Sequence, residues 1–551
     1  MKKIIFILGL AAVVLGTSCS DVLDLNPADR FSPATVWSTT TTADKYVIGL
    51  YSIFGANTEM RGGDAYASPR LSDAYSDILK STSWNQYNHN FNATLLQETA
   101  FNSNSAGAFE CWSSHYDRIR RENEFLRDAA EFGSKFGEDW LKIRIAEVRF
   151  CRAYAYFMLC RVYGGGILRT EVDGPEQNDK ARSTEEECWG FIINELKELA
   201  PDLPLKWDSD NSGRATQKAA YGLLSRVALY AEKWDVAAQA ARDCATAEGN
   251  LDLSENGYAK IFELGINSPE VLFAVEFKSS VIDHAYDAYV RPSGDTKELG
   301  KQVYSGFVPT SELVDSYEMA GDGGNFSWEK HGKDPYANRE PRFYATILYN
   351  GADWMGRKIE SFVGGKDGYK AYENAGAAGT TVTGYYLRKY LIDGDKTWVT
   401  SGSGQDWIVL RYAEVLLNKA EALAMENWNK NSAEALQALN DVRARVGLPA
   451  RATADKETFL EYVRHERKVE LAGEGFRYWD LRRWRLAEKV IDGQNVHGVK
   501  ISKQSDGSFT YEQVDADGGH KRIFYDRYYR FAIPLSERSN NSLCTNNDGW
   551  I

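Results

Sequence analysis

Cysteine is sparse in this chain, with 7 in 551 residues and no Cys-x-x-Cys pair. That argues against a disulfide framework. Cys151 and Cys160 share one helical run and sit too far apart along it to bridge. They and Cys111, Cys188, Cys244 and Cys544 read as buried thiols. Positive charge is also short. The 65 Lys and Arg face 78 Asp and Glu, a net charge of −13, and no Lys/Arg-rich block stands out. Nucleic-acid binders concentrate cations to neutralise phosphates, so nucleic acid is set aside as a partner. Long apolar runs are lacking as well. The longest, Ile4 to Leu15, is shorter than the roughly 20 residues that cross a bilayer.

Catalytic and metal motifs are missing too. There is no Gly-x-Ser-x-Gly and no phosphate loop, and Gly402, Gly404 and Trp407 fail the dinucleotide fingerprint. His465-Glu466 begins like a zinc-protease motif, but Val469 stands where the second His belongs. Asp515, Asp517 and Asp526 have some calcium-loop spacing, yet His520 occupies the place that needs Gly. Asp393-Gly394-Asp395 reads equally well as a turn. No metal and no cofactor are expected. A glycosidase needs only two carboxylates, but nothing marks out one pair, so no catalytic residue is named.

The clearest local feature is the leader. Lys2 and Lys3 precede the apolar run, and Gly16, Thr17 and Ser18 lead directly to Cys19. Residues 1–18 read as a signal peptide. A Cys after small residues is the pattern of bacterial lipoprotein cleavage, although Leu15 lies one place further back than usual. Cys19 is therefore the expected lipidation site and membrane anchor. Losing Lys2 and Lys3 with the leader takes the net charge from −13 to about −15. Residues 19–45 read as a tether and entry segment, and 46–551 as one body.

That body is expected to be mostly α. Residues 46–278 carry helical repeats, among them Trp140 to Tyr163, stopped by Gly164-Gly165-Gly166, and Gln217 to Glu232, followed at once by a helix from Trp234. Residues 404–551 repeat the design. Val409, Ala413, Leu416, Ala420 and Leu423 make one apolar stripe, Ser432 is placed to cap the next helix, and Gly447 with Pro449 stops it. A third helix runs from about Lys456 to Ala472. Paired amphipathic helices with short turns predict a tetratricopeptide-like helical superhelix. Between them, residues 279–403 lose the helical period except near Thr310 to Met319 and gain glycine. This is an irregular, loop-rich insertion with short strands expected at Phe343 to Tyr349 and Tyr385 to Leu391. Loops on a rigid scaffold are where binding residues concentrate. Aromatics make up 13% of the chain; core packing accounts for most, and sugar-stacking surfaces are the functional use of the rest.

The segment 464–484 is dense in charge. Asp480 and Arg483 lie one helical turn apart, Glu461 is within reach of Arg464 or His465, and several Arg stand beside Trp. Internal ion pairs and stacking explain it better than catalysis.

The same segment resembles the C-terminal signature of SusD/RagB-type lipoproteins. Cys19 to Pro27, Tyr116 to Leu126, Ala146 to Gly165, Pro309 to Met319, Glu340 to Gly351, Thr383 to Tyr390, Leu410 to Leu423, and Ile533-Pro534 through Trp550 resemble further parts of that family, in order. The resemblance implies a non-catalytic outer-membrane lipoprotein of Bacteroidetes, exposed at the cell surface. It also implies a SusC-like TonB-dependent transporter as partner. The implied ligand is a glycan or, in the RagB manner, a peptide; a glycosidase stays as a weaker alternative. By region, the resemblance places the ligand site in the first loop, with Asp73, Trp84, Asn85, Tyr87 and Asn88, and in the middle insertion, with Tyr286, Tyr289, Arg291, Trp328 and Trp354. Trp84 and Trp328 stand among polar neighbours, which favours exposure.

Overall fold

The structure is a computed structural model that describes residues 32–56, 59–60, 71–82, 101–174, 179–371 and 380–550. Cys19 lies outside the described residues. The packed body begins before residue 46. Pro33–Val36 and helix α1, Thr40–Leu50, already bury Val36, Trp37, Ala43 and Val47. The entry segment is thus part of the core from Pro33 onward, because its apolar residues recur at helical spacing behind the Thr39 cap.

Five long helices follow, each packed on the one before: α2 Trp112–Phe132, α3 Glu138–Tyr163, α4 Glu185–Leu199, α5 Gln217–Tyr230 and α6 Trp234–Thr246. The central helix, α3, is buried on nearly all sides from Ala146 to Tyr163, as a helix flanked by two others must be. It ends where Gly164 turns left-handed, with φ 69° and ψ 35°, a conformation that costs glycine little. Thr184 and Glu187 form a capping box at the start of α4, and three consecutive glutamates occupy its first turn, where the helix dipole favours them. Buried alanines at 237, 238, 240 and 241 let α6 lie close to α5.

Helix α7, Gly257–Leu264, precedes the middle region. That region leaves the array on β2, Val271–Val275, and returns on β8, Trp407–Arg411, which pair antiparallel. The helix after β8, Tyr412–Arg445 (α8), packs on α6 as the next layer, and α9, Lys456–Glu470, packs on α8. The array therefore continues across the insertion. The expected tetratricopeptide-like superhelix with an irregular insertion is the observed fold.

Two local expectations need correction. The cap inside α8 is Asn427, at φ −165° and ψ 94°, whose side chain accepts the Lys430 N–H at 3.2 Å; Ser432 lies within the helix that follows. The segment from Phe343 starts as a helix, Pro341–Thr346, and only Ile347–Leu348 (β4) pairs with Tyr386–Leu387 (β7). Near the C-terminus, beyond the helices expected from the sequence, His497–Lys503 (β9) and Phe509–Asp515 (β10) form a hairpin. Its turn carries Asp506-Gly507, with Gly507 at φ 86°, a strong hairpin pair.

Candidate functional site

The charged block of α9 and α10 (Arg477–Arg483) is internal. Glu470 is 0% exposed and its carboxylate meets Arg342 at 2.9 Å, Arg411 at 2.6 Å and Arg445. Burial pushes its pKa up, but those three guanidiniums outweigh burial and hold it well below the usual range. Glu474 is shared by Arg411 and Lys389, and Glu466 by Arg342 and Arg443. Arg467 grips Asp480 through two bonds of 2.8 and 3.0 Å, and Arg483 adds a third at 2.8 Å. Every oxygen of Glu470 and Glu474 is spent on a cation, so these acids hold the middle region against the helical array. Asp517 is likewise occupied, by Lys80 at 2.7 Å and Arg522 at 2.8 Å. No group of three or more His, Cys, Asp or Glu among the described residues is arranged to hold a metal.

Four residues expected at the ligand site are withdrawn from the surface. Asp73 is fully buried and accepts the backbone N–H groups of Gly473, Gly475 and Arg477 at 2.9, 3.1 and 2.9 Å. It pins the turn after α9 rather than a sugar hydroxyl. Tyr286 is buried and donates to the Lys389 carbonyl at 3.0 Å. Arg291 donates to Asp287 and to the carbonyls of Ile392 and Asp395, with Trp354 and Trp398 packed against its guanidinium at 5.3 and 5.2 Å. Trp354 is 0% exposed, and its Nε1 donates to Asp295 at 3.0 Å. A tight hairpin of β5, Asp353–Trp354, and β6, Arg357–Lys358, turns it inward. Arg291 and Trp354 are foundations beneath the loops.

Two residues stay partly exposed. Tyr289 stacks on Tyr304, with centroids 4.8 Å apart and planes 25° from parallel. Trp328 donates from Nε1 to Asp315 at 3.0 Å and lies 5.9 Å from the Tyr511 ring. Burial raises the Asp315 pKa to about 6 even against the Trp328 hydrogen bond. Trp84, Asn85, Tyr87 and Asn88 lie outside the described residues. The segment leading to them does not. Strand β1, Leu79–Ser81, pairs antiparallel with β3, Phe307–Pro309, and Thr82 then bonds to Ser305 and Gly306 by its side chain and backbone. Gly306 N–H in turn donates to the Tyr289 carbonyl, and Tyr304 N–H to the Ala288 carbonyl. Thr82 thus sits beside the Tyr289–Tyr304 pair. A second aromatic surface, a cleft of about 500 Å³, gathers Tyr344, Tyr349, Phe362, Phe509 and Tyr511.

The profile of the SusD family matches residues 269–550, just over half the chain. This chain belongs to the SusD family. A second profile, described as starch-binding associating with outer membrane, matches residues 21–229. A SusD-like protein of Bacteroides ovatus is 24% identical over 547 residues, covering 94% of this chain and 90% of the relative. A solved SusD-like protein from Bacteroides fragilis is 27% identical with a TM-score of 0.79, over 94% of this chain and 98% of that one. The surface glycan-binding protein A of Bacteroides thetaiotaomicron, solved with laminarihexaose, shares the fold at 18% identity and a TM-score of 0.65, over 92% and 99% of the two chains.

Within this SusD-family body, the sequence reading missed Tyr304 and the cleft residues Tyr349 and Tyr511. Nothing local marks Tyr304, because its partner ring is set by backbone bonds between the segment before β3 and a short helix, Tyr286–Val290. Tyr511 was findable. The Asp506-Gly507 turn predicts a hairpin, and alternation then puts Phe509 and Tyr511 on one face of it.

Proposed function

We propose that this chain captures oligosaccharide or polysaccharide at the cell surface and delivers it to a SusC-like TonB-dependent outer-membrane transporter, held to the membrane by lipid on Cys19. It does so without catalysis. The observation that carries the reading is the partly exposed, stacked Tyr289–Tyr304 pair, beside which Thr82 is bonded to Ser305 and Gly306. A pyranose face presents C–H groups that pack on aromatic rings, so adjacent rings suit successive sugars. The family description as starch-binding and outer-membrane associating supports the ligand class. Each aromatic contact contributes about 0.5–1.5 kcal/mol beyond its buried area. Two or three rings with hydrogen bonds then give dissociation constants in the range of about 1 μM to 1 mM.

Calorimetry with a panel of polysaccharides, laminarihexaose and a peptide mixture tests this. Tyr304→Ala and Tyr289→Ala should each weaken the best glycan several-fold, and the double variant should lose it, with melting temperatures near that of the parent. Native affinity in the double variant would remove the platform from this site. Binding of peptides in preference to every glycan would transfer the protein to the RagB manner of capture, and reducing sugar released from the glycan would make it a hydrolase.

A further inference from the structure

At one end of the helical array a cleft of about 350 Å³ opens between the last turn of α3, the starts of α4 and α6, and α10. Trp189, Trp234 and Trp484 line it, together with Trp479, which is only 2% exposed. It shares no lining residue with the aromatic cleft of the middle region. Six arginines and three glutamates line it, and Glu232, exposed among them, forms no ion pair among the described residues. Four of the six are matched: Arg483 with Glu421 and Asp480, Arg530 with Glu185, Arg464 with Glu461, and Arg485 with Asp526 at 3.9 Å.

Arg161 and Arg482 form no ion pair among the described residues. Arg482 donates to two backbone carbonyls, Arg161 O at 3.4 Å and Tyr529 O at 2.7 Å. The Arg161 guanidinium touches Met158 Sδ at 3.1 Å. Both lie against the Trp479 ring, 4.2 and 4.7 Å from its centroid. Two like charges therefore share one aromatic ring with no carboxylate between them. Burial lowers the Arg482 pKa to about 10, and Arg161 lowers it further toward that value.

The unmet hydrogen-bonding groups agree in kind. Arg161 Nε, Arg482 Nε and Trp479 Nε1 are buried without a partner. All three carry N–H and none can accept. Leaving such a donor unmet costs about 1–3 kcal/mol. An acceptor alone would satisfy the donors but would leave the Arg161 and Arg482 guanidiniums without a counter-ion. An anion with more than one oxygen satisfies both, and guanidinium groups bind carboxylate, sulfate and phosphate best. The surrounding tryptophans select an anion whose body is apolar or aromatic.

We propose that this cleft is a separate ligand site for an organic oxyanion: a carboxylate, sulfate or phosphate group carried on an apolar or aromatic body.

The test uses the detergent-solubilised full-length chain, with tryptophan fluorescence and thermal melting at constant ionic strength set by chloride. Phenylacetate should quench emission and raise the melting temperature saturably, since a ligand that binds only the folded state stabilises it. Sodium sulfate should do so more weakly, and benzyl alcohol, the uncharged counterpart, should do neither. Arg161→Gln keeps the fold, because its guanidinium holds no carboxylate, and should weaken phenylacetate at least tenfold. Trp234→Ala should weaken phenylacetate while sparing sulfate. Absence of any saturable response to phenylacetate and sulfate overturns the assignment. Equal phenylacetate affinity in Arg161→Gln overturns it too. Benzyl alcohol binding as tightly as phenylacetate reduces the cleft to an apolar groove and also overturns it.

Discussion

Glu470, at the seam between the middle region and α8–α9, and Glu122, on α2, are both 0% exposed, yet their surroundings treat the same carboxylate in opposite ways. Glu470 is enclosed by Arg342, Arg411 and Arg445, and its pKa is held well below the usual range against burial. Neither oxygen of Glu122 has a hydrogen-bond partner, and burial raises its pKa to about 8, although Arg152 and Arg118 pull the other way. The difference lies in where the cations come from. At the seam they arrive from three separate segments: the middle region, β8, and the end of α8. Around Glu122 the nearby cations are already committed, Arg152 to Asn123 and Glu195, and Arg118 to the Ser114 carbonyl. Burial alone does not stabilise an ionised acid. The seam shows what does: several cations delivered together by the fold, which also ties the loop-bearing region to the array.

The sharpest way to break this comparison is Glu470→Ala. It leaves three buried guanidiniums short of a partner. Removing one side of a buried pair costs about 3–5 kcal/mol. Glu270, Glu474, Glu466 and Glu340 still face those arginines, so the loss should stay near that of one broken pair rather than three. Urea denaturation at pH 7 measures it. A loss under about 1 kcal/mol would mean that the seam is held by packing, with the ions as bystanders.

A second effect, with a pH signature, is expected of Glu122→Gln. In the folded chain Glu122 keeps its proton up to about pH 8, whereas its ordinary value is 4.5. Between these values the folded state binds more protons than the unfolded one. Stability from this group therefore falls as pH rises, by up to about 1.4 kcal/mol per pH unit. Glu470 has the opposite sign. Its contribution is fully present above the ordinary glutamate value and is lost as pH drops below it. Glu122→Gln should reduce the decline toward pH 8 and leave the acid limb alone. Some decline should remain, because burial and the neighbouring Asp73 raise Glu59, and burial raises Asp73. Urea midpoints at pH 5, 6.5 and 8 decide it: a constant gap between variant and parent would sink the assignment.

The two acid environments also mark how far a sequence can be read. Contacts within a turn were legible. Asp480–Arg483 and Glu461–Arg464 pair as their spacing suggests, and the helix to Tyr163 stops at Gly164. Partners that meet across the chain were not. The N–H groups that hold Asp73 lie 400 to 404 residues away, and nothing near Asp73 foretells them. Trp354 fails for a related reason. The tight hairpin around it points the ring at Asp295. The fold was therefore legible from period and stops. The exposed rings were not, apart from Tyr289 and Trp328.

The smallest expected effect separates a local rule from its tertiary override. Within α8 the chain breaks at Asn427, outside helical geometry, and the Asn427 side chain accepts the Lys430 N–H three residues on. That is the N-cap arrangement, which costs about 0.5–2 kcal/mol when replaced by alanine. Ser432, a good capping residue by type, lies inside the next helix with nothing to cap. The choice between the two follows from packing. Leu423 and Ala424 are buried before the break and Ala435, Ala438 and Leu439 after it. The helix must therefore turn early enough for both stripes to face the core. Asn427→Ala should destabilise by about 1 kcal/mol, and Ser432→Ala should change stability by less than half of that. Thermal melts of the two variants measure the order. A larger loss from Ser432→Ala would place the break later in the chain, and the two halves of α8 would then have to pack on α6 and α9 in a different register.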